Sequence, residues 1–135
     1  MRHEITIICD DIRREIGNKI SLMGLYDDAI VIKQAPARLS KLCVFQRWME
    51  SNLGREDTIR FQVSGTALVS PVYASCKPEP AHFDPRATKA QLILVFAPFD
   101  IVRPGYVEFV TFLKESDEPS YRYRLDVRID TDIKA

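Results

Sequence analysis

The sequence has no surplus of charge, few cysteines and histidines, and no long hydrophobic run. Nineteen lysines and arginines balance nineteen aspartates and glutamates, so the formal net charge at pH 7 is +0. No overall field attracts a polyanion or an anionic bilayer, and we expect neither nucleic acid nor a membrane as a partner. The longest apolar stretch, 92–99, is far shorter than the about 20 residues that cross a bilayer, and it indicates a buried strand.

The three cysteines, Cys9, Cys43 and Cys76, are an odd number without repeated spacing. This pattern favours neither a disulfide framework nor a zinc knuckle, and it predicts reduced thiols. Residues 1–17 reach charged positions after a short apolar stretch and lack the pattern of a signal peptide. We therefore expect a soluble, cytoplasmic protein.

The fold class follows from the alternation of apolar and polar residues. Between 121 and 130, apolar residues alternate with arginine and aspartate, and 59–67 repeats the alternation. Such a period of two is typical of a strand with one solvated face. Further strands are predicted, with turn-forming residues between them, at 4–9, 19–25, 29–33, 41–49, 90–96 and 106–114. The sequence predicts an all-β, antiparallel two-sheet sandwich of about eight strands, immunoglobulin-like or C2-like, forming one domain over 1–135.

Two features depart from a plain sandwich. Prolines in segment 70–88 exclude central ladder pairing and predict a long surface loop; they are Pro71, Pro78, Pro80 and Pro85. In addition, 42–45 and 92–96 are apolar on both faces, whereas a two-layer sandwich leaves one face of each sheet in water. We expect the proline-rich loop, or else a partner or second copy, to cover those outer faces.

No motif for catalysis is recognisable. His3 and His82 are the only histidines, and neither lies near a nucleophile motif such as G-x-S-x-G. Cys76 and His82 share one predicted loop, but a closed zinc site needs about four ligands. We therefore expect no enzyme, no cofactor and no metal among these residues. A small hydrolase that uses His82 is left as an alternative, because a triad is defined by geometry.

Aspartates gather at predicted strand ends and loops. They are Asp10, Asp11, Asp27, Asp28, Asp84, Asp100, Asp130 and Asp132. Calcium takes about six to eight oxygen ligands, which several loops of a sandwich can supply together. Aspartate is also a preferred turn residue, and no calcium loop of the D-x-[DN]-x-[DN]-G type is present. Binding of a divalent cation or a small ligand by acidic loops is therefore the alternative function.

Arginines of the last predicted strand, Arg122, Arg124 and Arg128, raise the question of nucleic-acid binding. A period of two places Tyr121 and Tyr123 on the opposite face, so these tyrosines and arginines cannot form one platform on which bases stack. Aspartates of the same strand share the arginine face, which predicts charge pairing on a solvated sheet.

Candidate interaction residues lie in two places. Segment 9–19 is dense in charge and is either a connection that grips a partner or a solvated loop with weak ion pairs. Part of it, 10–16, has the pattern of a single helical turn, a loop or an irregular strand end. Arginine and tryptophan, which follow the apolar run 42–45, are enriched in interface hot spots, although tryptophan is equally a core residue. The candidates are Asp10, Asp11, Arg13, Arg14, Arg47 and Trp48.

The stretch ICDDIRREIGNKISLMGLYDD, followed by LSKLCVFQRW, resembles the opening of an uncharacterised family of small bacterial proteins, a domain of unknown function. The resemblance covers roughly the first third of the chain. It implies a compact β-sandwich of bacteria or their mobile elements and supplies no activity, cofactor or catalytic residue. The motif residues are expected to fix a turn and its neighbouring strand; they are Asp10, Asp11, Arg13, Glu15, Gly24, Tyr26 and Asp27.

Without a catalytic motif or a ligand-spaced cluster, the apolar faces of 42–45 and 92–96 decide the functional expectation. The sequence predicts a non-catalytic protein-interaction or assembly module. Its expected partner is another protein or a further copy of the chain.

Overall fold

Twelve β-strands run through the residues that a computed structural model of the protein describes, which are 2–17, 19–49, 56–80, 89–113 and 117–132. No helix occurs among them, and hence none that could span a membrane. The strands are β1 (Arg2–Glu15), β2 (Lys19–Tyr26), β3 (Ala29–Ile32), β4 (Ala37–Leu39), β5 (Leu42–Met49), β6 (Ile59–Ser64), β7 (Val72–Cys76), β8 (Glu79–Pro80), β9 (Ala90–Phe96), β10 (Phe99–Ile101), β11 (Gly105–Phe112) and β12 (Tyr121–Ile129).

Two five-stranded sheets and one two-stranded ladder account for all twelve strands. The first sheet has the order β2-β1-β5-β9-β8, the second has the order β3-β12-β11-β6-β7, and β10 pairs with β4. Paired strands are antiparallel except for β12 and β3, which are parallel. One hydrophobic core takes residues from both sheets, such as Val44 and Leu94 from the first and Phe61 and Phe109 from the second. The protein is therefore all-β and sandwich-like, as predicted.

The number of strands differs from the predicted eight because four strands, β4, β7, β8 and β10, were not predicted. Two of these, β7 and β8, lie within the proline-rich segment, so the prediction of one long loop over 70–88 is wrong for these residues. Both strands lie at sheet edges. Proline has no backbone N–H to donate, and an edge strand tolerates this because one of its sides has no neighbouring strand. The rest of that segment, 81–88, lies outside the described residues.

Residues 10–15 form the second half of β1, so of the three alternatives left open there the strand end is present, and the helical turn and the loop are not. The first half of β1 pairs with β5, and residues 8–15 pair with β2. Pairing with β2 gives the backbone N–H and C=O groups of residues 10–15 hydrogen-bond partners. An isolated helical turn of this length would be unstable. Sequence periodicity missed this because charged residues occupy both faces of the segment.

Candidate functional site

A hairpin lies over the outer face of the first sheet, which is the face turned away from the core. It consists of residues 10–15 of β1 together with β2, and we call it the arm. Arg14, near the tip of the arm, forms an ion pair with Glu79 of β8. Because β8 is the edge strand at the opposite side of this sheet from β2, the contact requires the arm to bend across the sheet. At the base of the arm, the Cys43 thiol donates to the backbone oxygen of Asp10 at 3.8 Å.

The arm is held together where Asp10 meets Gly24. Gly24 has a φ of 69°, and a Cβ at this position would overlap the Asp10 carboxylate. The Tyr26 hydroxyl donates a hydrogen bond to the same carboxylate. A left-handed backbone and close approach of a side chain both favour glycine. These three motif residues therefore contact one another inside the arm, in agreement with the structural role that the resemblance implies.

Asp11 ties the arm to the neighbouring connection. Its carboxylate accepts hydrogen bonds from Lys41 Nζ at 2.9 Å and from Arg13 Nε at 3.3 Å. The hydrogen bond from Lys41 is the main reason why the pKa of the Asp11 carboxyl is lowered from its ordinary value. Asp11 is consequently a paired anion at neutral pH, and its charge is not free to attract a cation.

The arm covers much of the apolar outer face that was expected to need a cover. Cys43 is fully buried, Phe45 is 4% exposed and Gln91 is 7% exposed, although all three point away from the core. The arm was not anticipated as a cover for this face. Three apolar side chains of the same face, Leu25 on β2, Val95 on β9 and Ile5 on β1, remain exposed.

Between the arm and the sheet lies a cleft of about 360 Å³, which we call the arm cleft. Most of its wall is apolar; the lining residues are Ile5, Ile7, Lys19, Ile20, Leu22, Phe45, Arg47 and Gln91. Arg47 and Gln91 face each other on adjacent strands. Arg47 Nε and Gln91 Oε1 are buried and have no hydrogen-bond partner among the described residues. Glu4 Oε2 is 3.9 Å from Arg47 Nε, which is too long for a hydrogen bond.

Of the six predicted interaction residues, four lie in the arm without lining the cleft, and a fifth lines the cleft. Asp10, Asp11, Arg13 and Arg14 belong to the arm, and Arg47 lines the cleft beneath it. Sequence reasoning did not identify the apolar lining residues or Gln91. A glutamine inside the apolar run of β9 was the available signal, because a buried amide needs hydrogen-bond partners.

Trp48 is the sixth predicted residue, and it lies on the other side of the sheet. It is 4% exposed in the core, and its Nε1 donates to Gln46 Oε1 at 3.1 Å. The Gln46 amide in turn donates to Thr111 Oγ1 of the second sheet at 2.9 Å. His3 stacks on Tyr121 with ring centroids 3.6 Å apart, next to Trp48. This group links the two sheets and is separate from the arm cleft.

The outer face of the second sheet carries paired charges together with exposed Tyr73 and Val31. Arg122 Nη1 bonds to Glu108 at 2.8 Å, and the Arg124 guanidinium lies 3.7 Å from the centroid of Tyr106. Tyr121 and Tyr123 pack against the core, opposite the arginines, as predicted. Tyr106 on the arginine face was not anticipated, and Arg124 covers it.

The described residues contain no group of three or more histidine, cysteine, aspartate and glutamate side chains that could hold a metal ion. Asp100 is paired with Arg38 at 2.7 Å, whereas His82 and Asp84 lie outside the described residues. The three cysteines form no disulfide. Burial raises the pKa of the Cys9 thiol to about 11, so this group is protonated at neutral pH.

Comparison with known proteins places most of the chain in one group. A family model described as a family of unknown function matches residues 4–128. The match includes the proline-rich segment and nearly all of β12, which the resemblance at the opening of the chain did not reach. None of the curated proteins matches the chain.

Proposed function

The chain belongs to the family of unknown function DUF6941, and we propose that it is a non-catalytic interaction module that assembles with a second copy through the outer face of the first sheet. The observation that carries this proposal is the arm cleft. Most of its wall is apolar, and Ile5, which lines it, is 39% exposed. A docked partner that removes this apolar surface from water gains free energy.

Exposed apolar side chains on this face support the proposal. Leu25 is 55% exposed, Val95 is 51% exposed and Ile5 is 39% exposed. Leu25 and Val95 stand at the two ends of a cross-strand row whose middle members are cysteines. Exposed apolar surface that adjoins a groove is typical of interaction sites. Equal numbers of positive and negative groups mean that copies of the chain do not repel one another.

The chemistry of the cleft favours binding over catalysis. Its polar lining residues are Lys19, Arg47 and Gln91. No histidine, aspartate or glutamate, which are the commonest general acids and bases, is among the described residues that line it.

The finer fold type and the cellular location are part of the same proposal. Two mostly antiparallel five-stranded sheets around one core support an immunoglobulin-like or C2-like sandwich. Three cysteines without a disulfide support a cytoplasmic location. Thiol reactivity tests the cytoplasmic location: we expect the cysteines to react as free thiols in freshly lysed cells, in contrast to an oxidised sample.

Sedimentation velocity over about a hundredfold range of concentration tests the assembly. We expect a reversible dimer that Val95→Glu converts to a monomer, because the new carboxylate would have to be desolvated in the interface. Val69→Glu is the matched control, since Val69 is 81% exposed but follows β6 of the second sheet. A wild-type protein that stays monomeric throughout contradicts the proposal. The same runs with calcium test the alternative, which requires a calcium-dependent change.

A further inference from the structure

Two of the three cysteines lie directly opposite each other on neighbouring strands. Cys9 of β1 pairs with Cys43 of β5 in the antiparallel ladder. Their sequence neighbours Ile8 and Val44 point into the core, so the pleat places both cysteines on the outer face of the first sheet. Burial and, after it, the charge of Cys43 raise the pKa of the Cys9 thiol, which requires the two thiols to be close together.

The spacing of such a cross-strand pair suits a disulfide bond. Residues directly opposite in an antiparallel ladder have Cα atoms about 4.5–5.5 Å apart, within the range of about 4.4–6.8 Å that a disulfide spans. Their Cβ atoms are about 4.5–5.5 Å apart, slightly more than the about 3.5–4.5 Å that a disulfide prefers. A bond between these cysteines therefore needs no change of strand register, and its strain makes it easy to reduce again.

The base of the arm lies against both thiols. The Cys9 thiol donates to the backbone oxygen of Asp11 at 3.5 Å, and the Cys43 thiol donates to the backbone oxygen of Asp10 at 3.8 Å. Both cysteines are fully buried, and burial raises the pKa of both thiols, so they are protonated at neutral pH. A buried, protonated thiol reacts poorly, so oxidation of the pair requires the arm to open.

We infer that Cys9 and Cys43 are a reversible redox pair guarded by the arm, and that a low-molecular-weight disulfide such as oxidised glutathione converts them to an intramolecular disulfide. One cysteine thiolate attacks a sulfur of the small disulfide, breaks its S–S bond and releases one small thiol. The other cysteine thiolate then attacks the mixed disulfide, forms the Cys9–Cys43 bond and releases the second small thiol. The cysteines are oxidised, and the small disulfide is reduced to two thiols, which take up the protons that the cysteines lose.

The third cysteine, Cys76, provides a control within the same chain. It lies on β7 of the second sheet, and its partner in the ladder is Ile59. Without a cysteine opposite it, Cys76 can form a mixed disulfide with glutathione but has no second thiol to resolve it. Cys76→Ser should therefore leave the reaction of the pair unchanged.

Peptide mapping under non-reducing conditions tests the pair. The folded protein is incubated with oxidised glutathione, the remaining thiols are alkylated, and the digested protein is analysed by mass spectrometry. We expect a peptide cross-linked between Cys9 and Cys43, in the wild type and in Cys76→Ser, which disappears on treatment with dithiothreitol. A folded wild type in which these cysteines stay unlinked, or carry only glutathione, overturns the inference. Because the wild type carries this test, no buried cysteine has to be replaced.

The rate of cross-linking tests the role of the arm. Arg14→Ala removes the ion pair with Glu79, and we expect disulfide formation to speed up by as much as about fivefold, because an exposed ion pair can shift the open population by about that factor. Arg122→Ala removes an exposed pair of the second sheet and is the matched control, with an unchanged rate. Equal rates in the two variants would overturn the guarding role of the arm.

The inference goes beyond the proposed function and does not depend on it. The reaction joins two cysteines of one chain, so its rate should not change with protein concentration, whereas the proposed assembly depends on concentration. A wild type that stays monomeric but forms the Cys9–Cys43 disulfide would contradict the assembly and support the redox pair.

Discussion

The two sheets of this protein treat their outer faces differently. On the second sheet, charged side chains pair with one another or lie on an aromatic ring, as Arg122 does with Glu108 and Arg124 does with Tyr106. On the first sheet, apolar side chains lie outside and the chain's own arm covers part of them. The second sheet pairs its charges locally and leaves Tyr73 exposed, whereas the first sheet leaves aliphatic side chains exposed beside the arm. Exposed apolar surface next to a groove favours a partner.

The largest expected difference between the faces is in the free energy of unfolding that is lost when a phenylalanine of each face is replaced by alanine. Phe45 lies under the arm and is 4% exposed, whereas Phe112 is half-buried on the second sheet beneath Arg60. We expect Phe45→Ala to lower the free energy of unfolding by about 3–5 kcal/mol, in the range for a buried ring. Phe112→Ala should cost about 1 kcal/mol, because part of its surface is already in water. Urea unfolding measures both, and equal losses would show that the arm does not bury the outer face.

The arm depends on Gly24, and Gly17 provides a control within the same hairpin. Both have positive φ, but a Cβ at Gly24 meets Asp10 whereas a Cβ at Gly17 meets nothing within 4 Å. Gly17→Ala should cost about 1 kcal/mol of unfolding free energy from backbone strain alone. Gly24→Ala should cost about 2–3 kcal/mol, because steric overlap adds to the strain. Similar losses in thermal or urea unfolding would show that Asp10 yields and that the contact does not fix the arm.

Loss of an ion pair from either face should have a similarly small effect on the free energy of unfolding, but a different effect on local opening of the arm. Arg14→Ala removes the contact with Glu79 that fastens the arm, and Arg122→Ala removes a contact within the second sheet. Each exposed pair should contribute less than about 1 kcal/mol. Amide hydrogen exchange should nevertheless speed up along β2 only in Arg14→Ala, because the arm then opens without global unfolding. Unchanged exchange along β2 would mean that Arg14 does not fasten the arm.

The smallest expected effect is the pH dependence of stability that comes from His3, which contacts Tyr121 between the two sheets. Burial lowers the pKa of His3, which touches Thr6, Trp48 and Tyr121 and no charged group among these neighbours. The unfolded chain therefore binds a proton more readily, so this part of the stability is present above about pH 6.5 and is lost as the pH falls through the folded pKa. His3→Gln should reduce the difference in urea midpoint between about pH 7.5 and about pH 5. An unchanged difference would assign the pH dependence to other groups.

Much of the fold could be predicted because each strand carries its own signal. The alternation in 59–67 and 121–130 indicates one buried face and one solvated face. Both segments contain strands of the second sheet, β6 and β12. The apolar runs at 42–45 and 92–96 were correctly predicted to be strands; the outer face of 42–45 is buried, whereas Val95 on the outer face of 92–96 is 51% exposed. The resemblance to a family of unknown function came from local motifs in the first third of the chain, and the family model that confirms such a family matches 4–128.

The candidate site could be predicted only in part. Charged residues of the arm and Arg47 stood out by composition, but nothing local showed that β1 would continue to Glu15 and bend across its own sheet. The short edge strands β7 and β8 were missed for a related reason, since a proline-rich segment pairs only where a neighbouring edge happens to lie. Trp48 and Arg47 are adjacent in sequence yet lie on opposite faces, as the pleat requires.

The sequence by itself determined the all-β class, the strands with alternating faces and the zero net charge, because these depend on side chains and their immediate neighbours. Tertiary structure alone decided which outer face is covered and by what. The arm reaches its place through Gly24 against Asp10 and through Arg14 against Glu79, a contact between residues 65 positions apart in the chain. Such contacts form between segments that are distant in sequence, and the periodicity of neighbouring residues does not predict them.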